Sequence, residues 1–218
     1  FDSSESGTVT RRPTLAIDFT PPGGGASGAC CYADTCDVLT AAVCASVGGT
    51  YQGDGTVCEP DPCPPPGTTV TVMGTQDNTL YQDAAGTVSN GSGAKMIVSK
   101  NAAGQICRGV LRFDLAASIP AGSAITGATL TLYNAEGATS AADVTVHRAS
   151  AGWGEGASVA PGTETVGAPA TSGDATWIHR FYPGTLWTNV GGDYALPASA
   201  VTAVGAIGFY SWTSPGML

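Results

Sequence analysis

Helical periodicity is what this sequence most lacks. No stretch sustains apolar residues at i, i+3, i+4 and i+7, and only residues 37–47 have the makings of one short helix. Lysine is almost missing, with Lys95 and Lys100 alone. Edge strands are commonly guarded by lysine, so a β-protein this poor in it tolerates or uses edge-to-edge pairing. Charge of either sign is scarce at 11%, and 8 basic against 17 acidic residues leave a net charge of −9. Neutralising phosphates requires clustered Lys and Arg, so no nucleic-acid partner is expected. No run of 18 apolar residues occurs, so no membrane-spanning helix is expected. Histidine is limited to His147 and His179, and neither a G-x-S-x-G elbow nor an H-E-x-x-H pair is present. Glycoside hydrolysis needs two acids flanking a cleft, and Glu155 and Asp174 are the pair to nominate. Glu155, however, sits in Trp153-Gly154-Glu155-Gly156, which reads better as a turn cap, so an enzyme is not expected. The chain opens on Phe1 rather than Met, which suggests a processed chain or an excerpt of a longer one.

Strand signals fill the space that helices leave. Leu15, Ile17 and Phe19 alternate with Thr14, Ala16 and Asp18, and further strands are predicted at 69–73, 95–99, 108–113, 128–133, 144–148, 176–181 and 206–212. Turn chemistry separates them at Asn90-Gly91, Pro120-Ala121-Gly122, Pro183-Gly184 and Gly191-Gly192-Asp193. Many short strands so punctuated predict an all-β protein, an antiparallel β-sandwich or jelly roll. Residues 21–29 read as a flexible linker and 64–67 as a stiff proline-rich one. They divide the chain into an N-terminal strand segment (1–20), a small module (30–63) and a β-domain (68–218).

The small module carries six of the 7 cysteines: Cys30, Cys31, Cys36, Cys44, Cys58 and Cys63. No histidine lies among them and no C-x2-C pair occurs, so a disulfide staple accounts for them better than zinc does. So short a segment cannot bury enough apolar surface to fold unaided, and cross-links supply the difference. Six cysteines allow 15 connectivities, all of them open at this stage. Disulfides imply an oxidising compartment, hence a secreted or cell-surface protein. Cys107 is left over. Alternation places it on the face of Leu111 and Phe113, as a buried free thiol or as one half of an intermolecular disulfide.

The stretch from Thr68 to Trp212 resembles the DNRLRE (disaggregatase-related) domain, an extracellular β-sandwich often classed with carbohydrate-binding modules. The resemblance rests on Asp77-Asn78-Thr79-Leu80-Tyr81, Ser89-Asn90-Gly91-Ser92-Gly93, residues 108–114, residues 119–130, Trp153-Gly154-Glu155-Gly156 and Gly173-Asp174-Ala175-Thr176-Trp177. The Cys-rich unit looks like small repeats found in planctomycete-type secreted proteins. In the family a strand like residues 1–19 usually closes the domain; here it comes first, so the order is permuted. A window cut across a tandem array, or a subunit whose first strand completes its neighbour, would each give this order.

A lone strand with an apolar face is not stable in water, so residues 1–20 must join a sheet, in their own domain or in another copy. The leading expectation is a structural subunit of an extracellular filament or surface array. In it residues 1–20 are donated to a neighbouring copy, with Leu15, Ile17 and Phe19 filling that copy's core. A monomeric closed fold would count against it. The runner-up is a polysaccharide-binding module using exposed rings near the Pro183-Gly184 turn, Tyr182 and Trp187. No cofactor is required. Asp77, Asn78, Asp83 and Asn90 offer the hard oxygen ligands that Ca2+ prefers, although no D-x-D-x-D-G loop is present and ordinary turn chemistry explains the same residues.

Overall fold

Residues 1–20, 27–32, 35–59, 68–100, 104–120, 123–138 and 140–217 are described by a computed structural model. Cys63, both linkers' central residues and the side chain of Phe19 lie outside the described residues. The chain is nearly all-β. In order, its elements are β1 (Thr14–Thr20), β2 (Ser27–Tyr32), β3 (Thr35–Thr40), α1 (Ala41–Ser46), β4 (Thr50–Tyr51), β5 (Thr68–Tyr81), β6 (Val88–Ser89) and β7 (Ser99–Lys100). There follow β8 (Ile106–Phe113), β9 (Ala124–Asn134), β10 (Ala142–Val146), β11 (Ala168–Pro169), β12 (His179–Phe181), β13 (Thr185–Leu186), β14 (Ala200–Val204) and β15 (Gly208–Thr213). The described residues form two compact units: Phe1–Leu15 with Met73–Asp114 and Thr129–Met217, and Ala16–Val72 with Leu115–Ala128.

A six-stranded sheet runs in the order β15-β9-β1-β5-β8-β7, and its pairings β15–β9, β5–β8 and β8–β7 are antiparallel. Period-2 alternation builds it: Leu130, Leu132 and Asn134 of β9 are buried, while Thr129, Thr131 and Tyr133 point the other way. Trp212 of β15 is fully buried and its indole N–H donates to the Val144 carbonyl at 2.8 Å. Against this face pack Val144, Val146, Ala200 and Val204 of the β10–β14 pair, making the second layer of the first unit. Each large side chain so buried contributes about 1.5–3 kcal/mol. A second core gathers Leu80, Trp153, Ala175, Trp177 and Trp187.

Within the single chain, the strand expected to complete a neighbouring copy pairs in its own sheet. β1 lies inside the sheet of its own chain, between β9 and β5, with Leu15 packed on the first core and Ile17 only 2% exposed. The polar approach to it is likewise anchored. Phe1 sets its ring edge-on to Trp212 at 5.7 Å and its carbonyl accepts the Met96 N–H, Asp2 N–H donates to the Tyr133 carbonyl at 3.0 Å, and Ser3 is fully buried.

Two other expectations also shift. Of residues 95–99 only Ser99 is in a strand, because Met96 turns inward to the core and Ile97 donates its N–H to Thr79 Oγ1. β14, an Ala-Val-Thr-Ala-Val run, has no counterpart among the expected strands because its small residues blur the alternation.

The second unit holds the cross-linked module, and this begins at Ser27, inside the segment read as linker. β2 pairs with β3 on one side and β4 on the other. The short helix expected over 37–47 is α1 alone; residues 35–40 form β3, and Thr40 caps the helix by accepting the Val43 N–H. Cys30–Cys44 ties β2 to α1, Cys36–Cys58 closes the outer loop, and Cys31 is also disulfide-bonded. Gly49 is required here, since a Cβ would stand 2.5 Å from Cys30 Sγ and 3.0 Å from Cys44 Sγ.

Candidate functional site

Five of the residues singled out in the sequence, Asp77, Asn78, Asn90, Glu155 and Asp174, meet in one buried polar network beside the second core. Asn78 is fully buried; its Oδ1 accepts from the Thr79 N–H, the Ser89 hydroxyl and the Asn90 N–H, while its Nδ2 donates to the Glu155 carbonyl. Asn90 Nδ2 donates to Glu164 Oε2 at 2.8 Å and its Oδ1 accepts the Ala160 N–H. Asp174 accepts the N–H groups of Thr171 and Ser158, and Glu155 Oε1 accepts the Asp77 N–H at 2.9 Å. The long irregular segments between β10 and β12 are held to β5 this way. Their backbone groups find side-chain partners that a regular ladder would otherwise supply. Gly156 is part of the fit: its φ is +74°, and a Cβ there would lie 1.6 Å from Asp174 Oδ1.

Asp77 is the electrostatic outlier. It is 1% exposed and accepts the Ser4 N–H, and burial pushes its carboxyl up to about 7, with Glu5 and Glu155 adding repulsion. Burial also raises Glu155. Of the four oxygen donors proposed for Ca2+, Asp77, Asn78 and Asn90 lie in this network and Asp83 does not. Asp83 closes its own exposed turn, accepting from the Thr87 and Ala85 N–H groups, which lower its pKa. The Asn78 and Asn90 oxygens face N–H and O–H donors rather than a cation, and among the described residues no three His, Cys, Asp or Glu side chains converge on a metal position. Glu155 and Asp174 clamp backbone amides, in keeping with the turn-cap reading. Glu164 and Ser158 belong to the same network and went unnoticed in the sequence, where nothing marks the segment around them.

The proposed sugar-binding rings need correcting. Trp187 is 6% exposed, lies in the second core and donates its indole N–H to the Thr176 carbonyl at 2.9 Å. The cause is the β12–β13 hairpin: alternation turns Leu186 outward, at 59% exposed, and Trp187 inward. Tyr182 is half-buried, follows β12 at a cis Tyr182–Pro183 bond and meets the His179 ring edge-on at 5.1 Å. His147 sets Nδ1 2.8 Å from the Ala195 carbonyl and stacks edge-on against Tyr194. Cys107 is a half-buried free thiol whose pKa is raised by burial.

A concave, polar surface lies elsewhere, where β5 carries one residue too many. Gly74 pairs with Phe113 and Gln76 with Arg112, so Thr75 is a bulge. Thr75, Gln76, Arg112, Phe113 and Asp114 line a depression of about 450 Å3. Arg112 Nη1 donates to Gln76 Oε1 at 3.2 Å and Thr75 Oγ1 donates to the Arg112 carbonyl at 3.3 Å. Comparison with protein-family models, with curated proteins and with solved structures finds no match to this chain.

Proposed function

We propose that this chain is a non-catalytic polysaccharide-binding module of a secreted protein. One observation carries the choice over a strand-donating filament subunit: β1 occupies the interior of its own sheet, so the sandwich needs no second copy to complete it. Two disulfides with both partners described, in a short module, support an oxidising compartment. The acidic side chains of the buried network hold backbone amides, which supports a binding role over acid–base chemistry. The resemblance to DNRLRE domains points the same way.

Affinity electrophoresis through gels containing soluble polysaccharides, run beside sizing across a hundredfold range of concentration, tests the reading. Retardation by at least one polysaccharide together with a concentration-independent monomer is expected. Fibres of regular axial repeat, with no retardation in any gel, would restore the filament.

A further inference from the structure

The geometry points to the depression at the β5 bulge as the saccharide-binding site, with a neutral, hydroxyl-rich glycan as its ligand; this rests on the binding-module reading. A ligand made of hydroxyl groups needs donors and acceptors side by side, a fixed frame to hold them, and an apolar edge for its C–H face. All three are present. Arg112 and Asp114 are exposed and stand two residues apart, one a fork of N–H donors and the other a carboxylate acceptor. Such a pair addresses the two hydroxyls of a vicinal diol, each in the role its partner lacks. Gln76 and Thr75 add an amide and a hydroxyl, and the rim of Phe113 supplies the apolar edge.

Four of the five lining residues, Thr75, Gln76, Arg112 and Phe113, lie within β5 and β8, and Asp114 follows β8 directly. Gln76 holds Arg112 from across the ladder, and the Gly74 N–H is anchored to the Pro13 carbonyl at 3.0 Å. The depression is shallow and open to solvent, and its volume of about 450 Å3 lies within the range of roughly 300–1,000 Å3 that small-ligand sites occupy. Neutrality of the ligand follows from charge. The site contributes one cation and one anion, while the chain as a whole carries −9 and repels polyanions at low ionic strength.

The test is affinity electrophoresis and calorimetry on the wild-type chain, R112A, D114N and Tyr182→Ala. The probes are soluble β-glucan, xylan, galactomannan and polygalacturonate, and melting curves confirm folding. Retention of a neutral glycan by wild type and by Tyr182→Ala, with at least a tenfold weaker association for R112A and D114N, is expected. Neutral-glycan binding that survives both substitutions within twofold overturns this site while leaving the binding-module reading intact. Preference for polygalacturonate overturns the ligand class, and no binding of any probe by wild type overturns site and reading together.

Discussion

Two regions of this chain hold irregular backbone in place by opposite means. Around Cys30, Cys44, Cys36 and Cys58 the segments are tied covalently, and the apolar content is slight: Cys30, Cys44 and Tyr51 are the buried centre, with Tyr32, Leu39 and Ala41 beside them. Around Asn78, Asn90, Glu164 and Asp174 no cross-link exists, and long segments are pinned by buried side chains that accept and donate to backbone groups next to a tryptophan-rich core. A covalent tie works by depriving the unfolded chain of freedom. A buried polar network works only while every member is satisfied, because each orphaned group keeps its full desolvation cost. The first region should therefore answer to reductant and the second to pH and to single-atom changes.

Reduction gives the largest separation. The two disulfides with both cysteines described span 14 and 22 residues, and each closed loop of that size is worth about 3 kcal/mol. Under reductant, hydrogen exchange over residues 27–59 should rise to that of an open chain. The emission of the 4 tryptophans, all outside that module, should stay put. Persistent protection of 27–59 in the reduced protein would erase the distinction. Next comes Asn78→Leu, which keeps the volume but abandons the Thr79 and Asn90 N–H groups and the Glu155 carbonyl. A loss of about 3–5 kcal/mol is expected in urea unfolding with an unchanged slope; a loss under 1 kcal/mol would show the network to be ornamental.

Asp77 sharpens the contrast through pH. Its carboxyl titrates near 7 when folded and at an ordinary 3.8 when unfolded, so the folded state binds more protons between those values. Stability from this group is fully present below about pH 4 and declines as pH rises toward 7, with no further change beyond. Asp77→Asn should flatten that slope and raise stability at pH 8 by a few kcal/mol, on the order of one to three. An identical pH dependence in wild type and variant would remove Asp77 from the account. The smallest effect belongs to the surface ion pair Lys95–Glu136, where Glu136→Gln should shift stability by less than about 1 kcal/mol.

The fold class was readable because period-2 alternation survives wherever a strand has one wet face, as in Leu130-Thr131-Leu132-Tyr133. It failed where small residues hide the period, as in β14, and at residues 95–99, where a buried methionine mimics a strand. The polar landmarks Asp77, Asn78, Asn90 and Asp174 stood out as turn-forming residues. Their convergence was illegible, because partners such as Glu164 come from distant segments with no local signature. The burial of Trp187 is not legible locally, since two residues of hairpin decide which way a ring points. The bulge at Thr75 leaves no trace at all in sequence, being a property of register between two strands.

Phe1 touching Trp212, and β1 lying beside β9, have a kinetic meaning. Residues 1 and 212 meet across most of the chain, and β1 pairs beside a strand more than a hundred residues away, so these contacts cannot form from local structure alone. Contact order is accordingly high, and folding is expected to be slow for the chain's size. Until those distant partners are in place the apolar face of β1, with Leu15 and Ile17, has nothing to cover it, and such a face invites aggregation.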